Sequence, residues 1–106
     1  MKTVWSEQAS KTLRGIAAYV HSKFGLHARQ ELLQEVARTS QLLEQTPYIG
    51  RVEPLLEGCE VEYRSLVINK LNKIVYYVSG DAVEIVAIWD TRREPRYLTE
   101  QLTVEN

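Results

Sequence analysis

Apolar residues recur at helical spacing over the first half of the chain. The first stripe, with members three or four residues apart, consists of Ala9, Leu13, Ile16, Ala17, Val20 and Phe24. A second stripe consists of Ala28, Leu32, Leu33, Val36 and Leu43. Ser6 is a suitable N-cap before the first stripe, Gly25 can end that helix, and Pro47 cannot continue the second. The pattern predicts two helices joined by a tight turn.

The spacing changes from helical to strand-like after Gly50. Three segments rich in β-branched and aromatic residues are predicted to be strands: 61–68, 73–78 and 82–89. Turn-forming residues at 69–72 and 79–81 connect them, which predicts an antiparallel meander. Lys2–Trp5 alternates polar and apolar residues and is predicted to be a short additional strand.

The predicted elements fit one layered architecture. Strands this apolar need cover on at least one face, and the only apolar stripes that can provide it belong to the two helices. The sequence therefore predicts an α+β fold, in which an N-terminal helical hairpin packs on one face of a three- to four-stranded antiparallel sheet. We expect the opposite face to be open to solvent or to a partner. A chain of 106 residues can form one core, so we expect a single domain over residues 1–106.

Composition and charge exclude several classes of function. The formal net charge of −1 provides no overall attraction toward nucleic acid. No apolar run is long enough to span a membrane and the first residues do not resemble a signal peptide, so we expect a cytoplasmic protein without membrane contact. Cys59 is the only cysteine, and His21 and His27 have no carboxylate or thiol at ligand spacing. We therefore expect no cofactor and no metal.

Basic residues are the remaining candidates for chemistry. Arg64 lies on the first predicted meander strand, Lys73 begins the second, and Arg-Arg-Glu-Pro-Arg at 92–96 follows the third. Neighbouring strands can bring these positions to one end of the sheet, where guanidinium groups can bind a phosphate or stabilise developing negative charge. The alternative is that the arginines form surface ion pairs with neighbouring carboxylates.

Tyrosines on the predicted strands offer a second candidate contact. Tyr63, Tyr76, Tyr77 and Tyr97 can stack on nucleic acid bases, although core packing is the alternative for most of them. Tyr76 and Tyr77 are adjacent on one strand and must point to opposite faces.

Four motifs in this order resemble one family. They are Leu43-x-x-x-Pro47-x-x-Gly50-Arg51 after the second helix, Tyr63-Arg64-Ser65, Lys73-Ile74-Val75-Tyr76-Tyr77-Val78, and Val83-Glu84-Ile85-Val86 leading to Thr91-Arg92-Arg93-Glu94-Pro95. Over nearly the whole chain, this order resembles the RelE/ParE superfamily, the toxins of type II toxin–antitoxin (plasmid stabilisation) systems.

The resemblance implies two different activities on one scaffold. RelE-like members are ribosome-dependent, metal-independent mRNA endoribonucleases, whereas ParE-like members poison DNA gyrase, so the resemblance leaves open whether the chain is an enzyme. In the nuclease branch the resemblance implies catalytic roles for Arg64, Lys73, Arg93 and Tyr97. The second basic position of that branch is Leu66 here, and the chain is not basic. These departures favour the ParE-like function.

A ParE-like function implies a different use of the basic residues and a defined set of partners. Target binding then falls to Arg64, Arg92, Arg93 and Arg96. The resemblance also implies a cognate antitoxin that folds around the toxin, neutralises its growth inhibition and supplies the only contact with DNA. The resemblance leaves open whether the chain forms a homodimer or a hetero-oligomer with the antitoxin. It also leaves open a third function, a non-toxic binding module that retains only the fold.

Overall fold

The helices and strands follow the predicted order. The computed structural model describes residues 1–69 and 72–91. The elements are β1 (Lys2–Trp5), α1 (Glu7–Phe24), α2 (Leu26–Gln45), β2 (Arg51–Val52), a short 3-10 helix (Pro54–Leu56), β3 (Arg64–Asn69), β4 (Asn72–Ser79) and β5 (Ala82–Asp90). The predicted α+β fold, with a helical hairpin packed on a sheet, is confirmed. Neither α1 nor α2 has the length and apolar character needed to cross a membrane.

Local signals fix the ends of the helical hairpin. The side chain of Ser6 accepts a hydrogen bond from the backbone N–H of Ala9 at 3.0 Å, so Ser6 is the N-cap of α1, as predicted. Gly25 lies between the helices with φ of +94° and donates its N–H to the carbonyl of His21. A positive φ favours glycine, which explains why the first helix ends there.

The sheet is larger than predicted and mixed in direction. Its strand order is β1-β5-β4-β3-β2, with β1 parallel to β5 and the other neighbours antiparallel. The prediction of three or four antiparallel strands is therefore corrected to five strands in a mixed sheet. The strand β2 has only two residues, too few for alternation to be recognised. The β3–β4–β5 meander is antiparallel, as predicted.

A bulge in β5 lets both of its isoleucines face the helices. Val75 is paired with Ala87 and Tyr76 with Ile85, so Val86 is the extra residue. Alternation along β5 is therefore reversed after the bulge. Ile85 and Ile88 consequently both join the helix-facing core, although three residues separate them.

The second face of the sheet is not open, which corrects the expectation from sequence. The main core lies between the helices and the sheet. A second core on the other face consists of Leu56, Tyr63, Val75, Ala87 and Trp89. Leu56 and Tyr63 come from residues 53–63, called here the β2–β3 segment. The segment packs on this face because the apolar side chains of both would otherwise be exposed to water.

Gly50 forms a tight junction between the end of the helical layer and the centre of the sheet. Its N–H donates to the hydroxyl of Tyr76 at 2.9 Å, and Tyr76 is fully buried. A Cβ at Gly50 would lie 2.6 Å from the Tyr76 hydroxyl oxygen and 2.7 Å from the carbonyl oxygen of Ser65. Only glycine fits without displacing backbone.

We expect Gly50→Ala to lower the free energy of unfolding by about 1–3 kcal/mol, because the added methyl group overpacks the junction. Gly15→Ala is the matched control, since a Cβ at that exposed position of α1 meets no atom within 4 Å. It should raise stability by about 0.5–1 kcal/mol through helix propensity. Urea unfolding of the two variants measures both effects. Equal stability of the two variants would contradict the close approach at Gly50.

Candidate functional site

The structure describes two of the six basic and tyrosine residues proposed as site residues. Arg64 is the first residue of β3, and Lys73 is the second residue of β4. The other four, Arg92, Arg93, Arg96 and Tyr97, lie outside the described residues. The roles predicted for all six stay predictions.

Arg64 and Lys73 project from opposite faces of the sheet. Arg64 is paired with Tyr76, and Lys73 is paired with Val67. Paired residues share a face and successive residues alternate, so Arg64 lies on the side of Tyr76, which belongs to the helix-facing core. Lys73 is three residues before Tyr76 and therefore lies on the other side. The two cations do not converge at one end of the sheet as expected, because this register separates them by an odd number of residues.

Lys73 forms a buried ion pair with Glu53, the first residue of the β2–β3 segment. The ammonium group of Lys73 donates to Oε1 of Glu53. The Glu53 side chain is wholly buried and the Lys73 side chain is 11% exposed. Oε2 of Glu53 also accepts the N–H of Leu55 at 3.2 Å, and the Ser65 side chain provides a further hydrogen bond.

The carboxylate of Glu53 is held in its charged form. Burial raises the pKa of Glu53, but the hydrogen bonds from Lys73, the Leu55 N–H and Ser65, together with the Lys73 charge, outweigh burial and leave the pKa lowered. The pair is therefore ionic at neutral pH. The charge of Lys73 is compensated inside the protein.

Arg64 binds the backbone of its own chain. One guanidinium nitrogen donates to the Gly50 carbonyl at 2.8 Å and to the Tyr48 carbonyl at 3.4 Å. The other donates to Oε1 of Glu62 at 2.8 Å. The Tyr48 ring lies over the guanidinium, with its centroid 5.1 Å from the Arg64 Cζ, within cation–π range. Arg64 is thereby 20% exposed and holds the loop that leads into β2.

Tyr76 connects this arrangement to the core. Its hydroxyl accepts the Gly50 N–H, while the Gly50 carbonyl accepts from Arg64. Burial raises the pKa of Tyr76, and the Gly50 hydrogen bond and the Arg64 charge offset only part of that rise. The hydroxyl stays protonated at neutral pH and acts as a structural partner.

Tyr76 and Tyr77 point to opposite faces, as predicted. Tyr76 lies in the helix-facing core, whereas Tyr77 packs against the second core. Tyr77 forms an edge-to-face pair with Tyr63, with ring centroids 5.8 Å apart at 89°. Burial, and then the nearby Glu84 and Tyr63, raise the pKa of Tyr77. Core packing therefore accounts for Tyr63 and most of Tyr77.

The described residues offer little for acid–base or metal chemistry near Lys73. His21 and His27 are exposed on the helical hairpin, and His27 pairs with Glu31 at 3.0 Å. Among residues 1–69 and 72–91, no three His, Cys, Asp or Glu side chains group as metal ligands. The arrangement fastens the β2–β3 segment and the Tyr48–Gly50 loop to the sheet.

Glu53 is the important residue that sequence reasoning missed. It opens an acidic stretch, 53–62, whose other glutamates are exposed, so it resembles one more solvated charge. The available signal was Pro54 directly after it. Proline is common at the first helical position, and Glu53 directly before it caps the 3-10 helix by accepting the N–H of Leu55.

Comparison with known proteins identifies relatives of the whole arrangement. Residues 3–95 match the family model described as ParE toxin of type II toxin-antitoxin system, parDE. No curated protein sequence matches the chain.

Three solved structures share the fold. A chain of the chromosomal ParDE TA system from P. aeruginosa has a TM-score of 0.69 at 19% identity, covering 85% of this chain and 95% of that one. The YoeB/ParE toxin from Agrobacterium tumefaciens has a TM-score of 0.60 at 21% identity, covering 85% and 98%. A chain of the YoeB dimer from Staphylococcus aureus has a TM-score of 0.58 at 18% identity, covering 82% and 92%.

We expect Lys73→Met to lower the free energy of unfolding at pH 7 by about 3–5 kcal/mol, because Glu53 is left buried without its counter-charge. Lys23→Met, at an exposed position of α1, is the matched control and should change stability by less than about 0.5 kcal/mol. Urea unfolding measures both variants.

Lys73→Met should also reverse the pH dependence of stability that Glu53 contributes. In the natural chain the folded pKa of Glu53 is lowered, so its stabilisation is present above the unfolded-state pKa of about 4.3 and is lost as the pH falls through the folded pKa. Without Lys73, burial should leave that pKa raised, so stability is lost as the pH rises through it. The difference between the two proteins should therefore shrink from pH 7 to pH 4. A constant difference would argue against the ion pair.

Proposed function

The chain belongs to the family of ParE toxins of type II toxin–antitoxin systems, and we propose that it inhibits DNA gyrase and is neutralised by a cognate antitoxin. The resemblance to the RelE/ParE superfamily is thereby confirmed at the level of the family. The choice of target rests mainly on one observation, the burial of Lys73 in an ion pair with Glu53 on the second face of the sheet.

RNA cleavage would require cations that can reach a phosphate and a group that takes the proton of the attacking 2′-hydroxyl. Lys73 faces a buried carboxylate, and Arg64 is bound to Gly50 and Glu62. Both described members of the nuclease set are therefore engaged inside the protein. This favours a function that does not depend on cleavage.

Leu66 supports the same choice. It stands where the resemblance to the nuclease branch implies a second basic residue, and its side chain packs against the helix-facing core. A cation there would be partly buried against apolar side chains. The formal net charge of −1 is also poorly suited to a site built of RNA.

Target binding is assigned in this proposal to the arginines that follow β5, together with Arg64. Arg92, Arg93 and Arg96 form a short basic run that can pair with acidic groups of a protein target. Arg64 contributes by holding Tyr48, which is 60% exposed beside it. The assignment places target recognition at basic and aromatic groups.

A protein partner is implied by membership in this family, because its toxins are components of toxin–antitoxin systems. Several large apolar side chains of the helical hairpin are exposed and available to a partner: Tyr19, Phe24, Leu26, Leu33 and Leu42. We propose that a segment of the antitoxin covers part of this set as it folds. One structural relative is described as a dimer, and for this chain a homodimer and a hetero-oligomer with the antitoxin are both compatible with the proposal.

Purified chain in molar excess should inhibit the supercoiling of relaxed plasmid by gyrase, because binding to gyrase blocks its catalytic cycle. Addition of the cognate antitoxin should restore supercoiling. Programmed ribosomes given the same protein should leave the message intact. Full supercoiling at excess toxin would contradict the proposal, and transcript cuts would identify the nuclease alternative. Harmless induced expression without antitoxin would identify a non-toxic binding module.

The double variant Arg92→Ala/Arg93→Ala should weaken gyrase inhibition by at least about tenfold, or about 1.4 kcal/mol of binding, without changing the unfolding midpoint. Lys2→Ala/Lys23→Ala is the control, since it removes two positive charges from exposed positions elsewhere. Concentration series in the supercoiling assay measure both. Equal loss in the two double variants would contradict a specific role for the arginines.

A further inference from the structure

The helical hairpin carries an uneven share of the charge. Residues 8–30 contain four Lys or Arg and no Asp or Glu, a charge of +4. The whole chain has −1, so the remaining residues carry −5, since −5 and +4 give −1. A locally basic segment is therefore present in a chain whose remaining residues are acidic in total.

Four residues of this stretch form a continuous line, called here the basic strip: Lys11, Arg14, His21 and Arg29. Arg14 follows Lys11 by three residues and precedes His21 by seven, and a helix turns by about 100° per residue, so the three share one side of α1. Arg29 of α2 donates from its guanidinium to Nδ1 of His21 at 3.4 Å. From Lys11 to His21 the strip is about 15 Å long, at about 1.5 Å per residue.

The positive charges of Lys11 and Arg14 in the strip are available to a ligand. Lys11, Arg14 and His21 are exposed, and none of them forms an ion pair within residues 1–69 and 72–91. On α2, Glu31 is paired with His27 and Glu35 with Arg38. Of these neighbouring acids, Glu35 forms an ion pair with Arg38, and Glu31 contacts the His27 ring.

Glu7 is the nearest acidic residue along α1, one turn before Lys11. It forms no ion pair within the described part of the chain. It also lies in the first turn of α1, at the end of the strip farthest from Arg29. Two of the three Lys and Arg residues of the strip, Arg14 and Arg29, have no acidic residue three or four positions away in the chain.

The residues between the cations have small side chains. Gly15, Ala18 and Ser22 lie on the same outward side of α1 and are exposed. A Cβ at Gly15 would meet no atom within 4 Å. An extended polyanion can therefore approach the helix closely over the length of the strip.

We propose that the basic strip binds the phosphate backbone of a nucleic acid without regard to base sequence. Lys11 and Arg14 on α1, and Arg29 on α2, present positive charge along one side of the hairpin, and a nucleic acid presents a row of phosphates that recur about every 3.4 Å in one strand of B-DNA. The inference goes beyond gyrase inhibition and does not depend on it. It departs from the expectation that DNA is contacted only through the antitoxin.

Fluorescence anisotropy of labelled 20-base-pair duplexes with the purified chain tests the proposal. Two DNA duplexes of unrelated sequence should bind with affinities within about twofold of each other. The logarithm of the binding constant should fall with the logarithm of salt concentration with a slope of about −3, as expected for three phosphate contacts. No binding at low salt would overturn the proposal, and so would a clear preference for one DNA sequence.

Two double variants with the same change in charge locate the contact. Lys11→Gln/Arg14→Gln should reduce the affinity at least about tenfold and make the salt slope less steep by about 2. Lys2→Gln/Lys23→Gln should have less than about a twofold effect, because Lys23 is nine residues after Arg14 and therefore lies on the opposite side of α1. Equal losses in the two double variants would mean general charge attraction and would overturn the proposal.

Two further measurements identify the ligand. Addition of duplex DNA should shift the ring resonances of His21 in NMR spectra and leave those of the more distant Tyr63 unchanged; the converse result would overturn the proposal. Displacement of DNA by polyglutamate at equal charge would indicate an acidic protein ligand and would also overturn it. Tighter binding of an RNA duplex of the same length would support phosphate contact while pointing to RNA as its source. Gyrase inhibition is measured separately, so the two proposals can fail independently.

Discussion

The buried ion pair of Glu53 and Lys73 determines what the second face of the sheet can do. Removing two charges from water costs several kcal/mol for each ion, so such a pair is tolerated only where hydrogen bonds satisfy both groups. The Glu53 carboxylate meets this condition because Lys73, the Leu55 N–H and Ser65 all bond to it. Release of Lys73 to an outside phosphate would leave Glu53 charged and buried. The pair therefore keeps Lys73 from anionic ligands as well as fastening the β2–β3 segment.

Arg64, on the other face of the sheet, is likewise held by partners within the protein. Its donors are used on the carbonyls of Tyr48 and Gly50 and on Glu62, so this cation also binds its own chain. Arg64 and Lys73 thus both hold the chain between α2 and β3 in place. In the described part of the molecule, the positive charge that is free for a partner is concentrated on the helical hairpin.

The features that could be predicted from sequence are those with a repeated or local signal. Long apolar stripes predicted both helices, and Ser6 and Gly25 marked the ends of the first one. The strand β2 was not predicted because a segment of two residues is too short to show alternation of polar and apolar positions. The placement of Arg64 and Lys73 on opposite faces depends on the β3–β4 register, which the sequence pattern does not specify. Glu53 could not be distinguished from its exposed acidic neighbours, because its burial depends on where the β2–β3 segment packs.

These relations explain why a shared fold does not determine the target. A basic residue at the start of β4 is available for phosphate chemistry when the covering segment leaves it exposed, and unavailable when that segment places a carboxylate against it. In this chain the carboxylate comes from Glu53, twenty residues before Lys73 and on a segment with no regular pattern. The group that engages Lys73 therefore lies outside the β4 motif. A strand motif alone, however well it matches a family, omits the group that decides whether its cation can act.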